Sequence, residues 1–355
     1  MNDSVLKYLL LCVKLVIMLL LVGWVVKQVH WQDYQFVDQE GIVSLRPGLI
    51  SCLSGFQLLP FLAALGLQFL TVYLTAWRWR LLMFVQGIVL DARSVVRLSF
   101  LGEFFNNFLP GAMGGDVVKA YYVMQHSGRK GAALVSIFAN RFAGLLAMVI
   151  LSLLVLAVCL FRDQAEVTAL RQPAFSIVFI SVAIGAVMFV ALNERFNNSA
   201  MLRWLITRLP FSRQLEVLRA AMHLHRKMDG LLAPVVIYSL LIVLAFVLSV
   251  MFIGLSLGIN LHWYQYFLYM PLIMMITAVP ITPGGVGVME ELFLYFFSSA
   301  GDPQKILAMA LLYRLTLIVT GLPGGVVFLR SEKISRQDLQ EGLDKMENDL
   351  ASTGS

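Results

Sequence analysis

Six runs of predominantly apolar residues recur along the chain, at residues 5–26, 53–77, 132–160, 174–192, 234–257 and 306–329. Each approaches or exceeds the roughly 20 residues that a helix needs to cross a bilayer. Of the 355 residues 59% are hydrophobic and only 14% are charged, against about 25% charged in an ordinary soluble domain. A soluble protein has no interior large enough to hide that much apolar surface. A soluble enzyme, a disordered chain and a fibrous repeat are thereby excluded, and an all-α polytopic membrane protein remains. Residues 9–26 are long for the apolar core of a signal peptide, are interrupted by Lys14 and lack a small-x-small cleavage site. They are expected to form an uncleaved first helix.

Two further apolar stretches are broken by proline and glycine. One runs over residues 98–123 around Asn106-Asn107-Phe108-Leu109-Pro110-Gly111-Ala112-Met113-Gly114-Gly115-Asp116. The other runs over 266–297 around Thr282-Pro283-Gly284-Gly285-Val286-Gly287. Proline removes a backbone donor and glycine admits positive φ, so a helix stops at such a run. Irregular backbone at membrane depth survives only against protein or a water-filled cavity. Each stretch is therefore expected as a re-entrant hairpin, two half-helices that enter and leave on one side; a kinked full span is the alternative.

The formal charge of +6 would suggest nucleic acid in a soluble protein. Here the basic residues gather in particular loops, where they mark the cytoplasmic side and anionic lipid, and no nucleic-acid partner is expected. Residues 194–230 hold Arg195, Arg203, Arg208, Arg213, Arg219, Arg226 and Lys227 against Glu194, Glu216 and Asp229, a cytoplasmic signature. Arg78, Arg80, Arg93, Arg97, Arg129 and Lys130 flank the first broken stretch, so it too should open to the cytoplasm. Residues 28–51 carry Asp33, Asp38 and Glu40 with only Arg46, which fits the outside. Six full spans threaded through these anchors place both termini in the cytoplasm, at the inner membrane, and open the second broken stretch outward. Residues 1–329 then form a single membrane domain, with a basic cytoplasmic loop over 194–233 and a cytoplasmic tail over 330–355. Cys12, Cys52 and Cys159 have neither metal nor redox spacing and are expected as buried thiols; no cofactor and no metal is expected.

Sliding the sequence by 173 residues lays Pro110 on Pro283, Gly111 on Gly284, Gly114 on Gly287 and Arg141 on Arg314. With opposite openings for the two copies, this is the pattern of an inverted repeat, with halves at about 53–160 and 234–329. The two motifs, together with Arg141-Phe142-Ala143-Gly144 and Val288-Met289-Glu290, resemble the lysylphosphatidylglycerol synthase transmembrane-region family, also called the flippase-like domain family. The resemblance covers roughly residues 53–329. It implies a membrane domain associated with moving aminoacylated phospholipids across the bilayer. This sequence has no synthase domain after residue 329, so aminoacyl transfer is not expected of it.

Charges within apolar spans are costly and therefore candidates for function. Glu103, Asn107 and Pro110 share a helical i, i+4, i+7 spacing, next to Asn106. The amides of Gly111, Gly114 and Gly115, backed by the positive end of the returning half-helix, are expected to face a lipid phosphate. Asp116 is either part of that cavity or an N-cap, and Lys119 is expected as an interfacial, snorkelling residue. In the second stretch Pro283, Gly284, Gly285 and Gly287 correspond. Arg141 and Arg314 lie too deep for easy snorkelling. Each either clamps phosphate in a bidentate fork or forms a structural ion pair, Arg141 with Glu103 or Asp116 and Arg314 with Glu290 or Glu291. Glu290 and Glu291 suit the positive end of a helix, and a buried carboxylate there is also a candidate proton carrier. Arg78-Trp79-Arg80 reads as an interfacial anchor. His223 and His225 fall in an amphipathic surface segment, and Leu339, Leu343, Met346 and Leu350 mark a helical stripe in the tail.

The expected activity is a lipid flippase or transporter that moves a phosphate-bearing, anionic or aminoacylated phospholipid by alternating access of the two repeats. The alternative is a non-transporting lipid-binding partner of an envelope-lipid biosynthesis enzyme. An enzyme ranks last, since neither a Ser/His/Asp triad nor a metal-ligand cluster nor a nucleotide loop is evident.

Overall fold

The structure, a computed structural model, describes residues 30–37, 43–108, 114–162, 175–179, 230–278, 285–297 and 302–330, with a few isolated positions besides. The expected span at 174–192 is described only at 175–179 and 182, which are helical. Nearly all of the span at 5–26 and of the basic loop, together with His223, His225 and the tail, lies outside the described residues.

The described chain is mostly helical. Nine helices follow a short hairpin: α1 (Leu49–Ser54), α2 (Leu58–Val85), α3 (Ala92–Phe108), α4 (Gly114–Ser127), α5 (Lys130–Arg162), α6 (Leu232–Ser256), α7 (Trp263–Thr277), α8 (Val288–Phe297) and α9 (Pro303–Arg330). Four of them, α2, α5, α6 and α9, are long and apolar enough to cross a membrane. The expected spans at 132–160, 234–257 and 306–329 fall on α5, α6 and α9. The span expected at 53–77 is shifted: the chain turns at Gly55, resumes as a helix at Leu58 and continues to Val85. Hydropathy ended it at Trp77 because Arg78 and Arg80 follow. The helix runs on because Arg78 finds partners on neighbouring helices.

The all-helical expectation also needs one correction. Strands β1 (Tyr34–Val37) and β2 (Val43–Arg46) pair antiparallel, with Tyr34 opposite Arg46 and Val37 opposite Val43. Strand 34–37 joins β-favouring Tyr, Phe and Val in too short a run to stand out beside the long apolar helices. The hairpin base is tied down by the Gly48 N–H, which donates to Asp33 Oδ1 (2.8 Å), and by the His30 N–H, which donates to Gln304 Oε1 (3.3 Å). His30 and the start of α9 therefore lie on one side of the molecule, where both were expected on the outside.

Helices α2 and α6 run antiparallel along their whole length. The Gln57 N–H donates to the Ser256 carbonyl (2.8 Å), the Ser249 hydroxyl to the Ala64 carbonyl (2.9 Å), and Arg78 Nη1 to the Ser239 hydroxyl (3.0 Å). One number rises as the other falls. Helices α3 and α4 also pack antiparallel, Gly102 lying against Gly115 and Lys119, and so do α7 and α8, where Tyr269 stacks on Phe296 at 5.8 Å. Each broken stretch thus forms two helices packed antiparallel rather than one kinked rod. A large core joins α5, α6, α7, α8 and α9, and contains Val243, Tyr266, Phe293 and Tyr313. A second core holds α2, α3, α4 and the start of α5 around Trp79, Val123 and Ile137. Helix α3 lies across α9, and α7 packs on α5.

Candidate functional site: two acid–arginine pairs beside the helix breaks

Arg141 stands eleven residues after Lys130, the first residue of α5, and Arg314 eleven after Pro303, the first of α9 (141 − 130 and 314 − 303). At a rise of about 1.5 Å per residue each lies about 16 Å along its helix. That is about half the thickness of a hydrocarbon core. A guanidinium at this depth must be paired or solvated. Both are paired, and in the same way.

Arg141 Nε donates to Asp116 Oδ2, in the first turn of α4. Arg314 Nε donates to Glu290 Oε1, in the first turn of α8, and Nη2 donates to Glu290 Oε2 (3.2 Å) and to the Gly285 carbonyl (3.2 Å). The partners are 25 and 24 residues apart. The ion-pair alternative is thus what the structure contains, with Asp116 rather than Glu103 and Glu290 rather than Glu291 in contact. The first pair is the more open: side-chain exposure is 29% for Arg141 and 16% for Asp116, against 19% for Arg314 and 4% for Glu290.

The glycines do less than expected for an anion and more for the backbone. A Cβ on Gly115 would run into the Gly102 carbonyl, so the close approach of α3 and α4 requires glycine there. The Gly115 N–H donates to Asn106 Oδ1 (2.9 Å), and the Gly287 N–H to Glu290 Oε2 (2.8 Å). Of the amides expected to face a phosphate, that of Gly115, and with it that of the corresponding Gly287, is therefore occupied by a side-chain acceptor. Gly285 and Gly287 take positive φ, +66° and +83°, a conformation that costs an L-residue energy. This turn aims the Gly285 carbonyl at Arg314. Gly114 opens α4. Pro110, Gly111, Pro283 and Gly284 lie outside the described residues.

Asn107 Nδ2 donates to the Leu317 carbonyl of α9 (2.9 Å), tying α3 to α9. Glu103 lies within electrostatic reach of Lys119, Asp116 and Arg141, and also of Tyr313, the residue before Arg314. Glu103, on α3, thus lies near both the first pair and Tyr313 of α9. The close crossing of these helices uses Gly321, Gly324 and Gly325, where added carbons would meet Asn107, Phe100 and Phe104.

Two expectations are overturned. Lys119 does not snorkel: it is buried, its Nζ lies 3.7 Å from Asp116 Oδ1 and 5.6 Å from the centre of the Trp79 ring. Nor is Arg78-Trp79-Arg80 an interfacial anchor as a unit. Arg78 is only 4% exposed, donating from Nε to Asn140 Oδ1 (2.9 Å), from Nη2 to the Asn140 carbonyl (2.9 Å) and from Nη1 to Ser239. Trp79 is 1% exposed and donates to the Ser136 hydroxyl (3.2 Å). Only Arg80 keeps the expected character, over the Trp77 ring at 5.2 Å. Hydropathy cannot distinguish a charge at the end of a helix from one satisfied by the helix beside it. Cys52 and Cys159 are buried, as expected of them.

Long apolar helices, hairpins that fold back and deep ion pairs define an integral membrane protein of helical bundle type. A family model described as the lysylphosphatidylglycerol synthase TM region matches residues 11–324, and the chain belongs to that family. It is also similar to a UPF0104 membrane protein of Pyrococcus horikoshii, 24% identical over 300 residues, covering 77% of this chain and 87% of that protein. A UPF0104 membrane protein of Methanothermobacter thermautotrophicus is 23% identical over 265 residues, covering 70% and 78%.

Proposed function

We propose that the protein moves a phosphate-bearing lipid, anionic or aminoacylated, between bilayer leaflets, with the two acid–arginine pairs at the centre of the pathway. The observation that carries this is the recurrence of one ion pair at one depth in each half of the chain, beside a helix break. Equivalent helices α2 and α6 run in opposite directions, which supports an inverted repeat, the architecture of many transporters that alternate access around a midplane site. Opposite openings of the hairpins α3–α4 and α7–α8, six full spans, cytoplasmic termini and an inner-membrane location complete the proposal. They rest on the charge bias of the loops.

Phosphate contact falls to the arginines, and to Arg141 first, because the Gly115, Gly285 and Gly287 amides are already engaged. Arginine binds phosphate and carboxylate with the same planar fork, so a lipid phosphate competes with Asp116 for Arg141. Lys119 is already placed to receive the displaced carboxylate. The family's link to a lipid-modifying synthase supports a lipid as the cargo. Transport involves no covalent change, and this chain is proposed to act without an enzymatic step.

The test is leaflet exchange of a fluorescent phosphatidylglycerol in proteoliposomes, read by dithionite quenching. Exchange that depends on the protein and is lost in Arg141→Ala and Arg314→Ala is expected. Binding without exchange would instead make the protein a lipid-binding partner of a biosynthetic enzyme, and product formation in the vesicles would make it an enzyme.

A further inference from the structure

The open end of the α3–α4 hairpin holds a cavity of about 350 Å³ that none of the features above uses. Its lining combines Ser94, Arg97, Tyr122, Gln125 and His126 with Leu98, Leu101 and Val327. No acidic side chain lines it among the described residues. Asp91, the nearest acid in sequence, caps α3 instead, its Oδ2 accepting from the Arg93 N–H (3.2 Å). Arg97 is exposed and carries a permanent charge. The Tyr122 hydroxyl is shielded from solvent and has no hydrogen-bond partner among the described residues. A buried hydroxyl is normally satisfied, so this one is a donor that a shift of the Tyr122 side chain into the cavity would supply with an acceptor.

We propose that this cavity docks the phosphate head group of a membrane lipid. Arg97 and the Tyr122 hydroxyl would hold the phosphate, while Leu98, Leu101 and Val327 take the glycerol and the first acyl carbons. A half-polar, half-apolar cavity of this size suits an amphiphile rather than a bare ion, and lies at the small end of the range for ligand sites. Tyr122 is six residues beyond Asp116 on α4 (122 − 116), about 9 Å along the helix. The cavity therefore lies toward the open end of the same hairpin whose inner end carries the Asp116–Arg141 pair. It deepens the transport proposal, on which its role as an entry point rests, by assigning the place where the lipid first docks.

The test uses the full chain in detergent with Ser94→Cys as a reporter, its maleimide labelling corrected for that of the unsubstituted protein. Dioctanoyl phosphatidylglycerol should slow labelling. Dioctanoylglycerol, which lacks phosphate, should not. Arg97→Ala, an exposed position whose replacement spares the fold, should weaken the protection about tenfold, and Tyr122→Phe should weaken it without removing a charge. Absence of protection, or full protection in both variants, would overturn the proposal. Equal protection by inorganic phosphate would overturn the lipid assignment in favour of a soluble anion. Binding and exchange are measured separately, so a docking cavity in a protein that does not exchange lipid, and exchange without this cavity, are distinguishable outcomes.

Discussion

The Glu290–Arg314 pair allows a direct test of whether these charges hold the fold together as a unit. Glu290→Gln removes the charge but keeps an oxygen to accept the Gly287 N–H, now bonded at 2.8 Å. Arg314→Gln removes the guanidinium. Unit charges at the 3.2 Å between Arg314 Nη2 and Glu290 Oε2 attract by about 5 kcal/mol at an effective dielectric constant of about 20. Spreading each charge over its group lowers this to about 4 kcal/mol. Breaking one partner of a buried pair costs about 3–5 kcal/mol, because a charge is left behind; removing both costs much less. Each single variant is therefore expected to lose about 3–4 kcal/mol and the double variant about 1–2 kcal/mol, a coupling of about 5 kcal/mol. The assay is denaturant unfolding of the full chain in detergent micelles, followed by tryptophan fluorescence. The same cycle at Asp116→Asn and Arg141→Gln should give a smaller coupling, about 1–2 kcal/mol, because both side chains are more accessible. Additive losses at Glu290 and Arg314, within about 0.5 kcal/mol, would refute the reasoning.

Gly324→Leu is expected to cost more than about 2 kcal/mol and separate α3 from α9, since its Cβ would meet the Phe100 carbonyl; the same unfolding assay measures it. Arg78→Lys keeps the charge but loses the fork that spans Asn140 and Ser239, and should lower stability by about 2–3 kcal/mol, seen as earlier thermal aggregation in detergent. Hydrogen bonds with the Ser51 side chain and the Gly48 amide hold the Asp33 carboxyl below its ordinary value. Its contribution is therefore complete above the unfolded value of about 3.9 and is lost as pH falls through the folded value. Hydrogen exchange should show protection of the Gly48 amide collapsing in that acid window in the unsubstituted protein, and weak protection without such a step in Asp33→Asn.

The spans at α5, α6 and α9, both helix breaks and the need of both deep arginines for a counter-charge were legible in the sequence, because each leaves a local signature. Which acid pairs was not, since Glu103 and Asp116, and Glu290 and Glu291, stood as alternatives. A proline-glycine run interrupts hydropathy, and an arginine inside an apolar run demands a counter-charge. The burial of Arg78, Trp79 and Lys119 was not legible, since it depends on the helix beside them: Asn140 and Ser239 satisfy the first, Ser136 the second and Asp116 the third. The crossing of α3 on α9 had an unused signal in the small residues Gly321, Gly324 and Gly325, a familiar mark of close helix contact in membranes. The hairpin at 34–46 was obscured because four-residue strands carry little periodic information.

The two pairs match in depth and chemistry but not in surroundings, and the difference bears on which one a ligand is able to open. A phosphate that takes Arg141 from Asp116 leaves that carboxylate beside Lys119, already 3.7 Å away, so positive and negative charge still balance locally. A phosphate that takes Arg314 from Glu290 leaves a carboxylate 4% exposed, held by the Gly287 N–H at 2.8 Å. No lysine or second arginine is paired with it among the described residues. An amide hydrogen bond offsets only part of the cost of a buried, unpaired charge. Ligand exchange is accordingly cheaper at Asp116–Arg141, the more accessible pair and the one on the hairpin with the polar cavity. Glu290–Arg314 is better suited to stay closed and hold α8 against α9. On this account the lysine at position 119 makes the first pair exchangeable, while the second, with no such cation paired to it among the described residues, stays rigid.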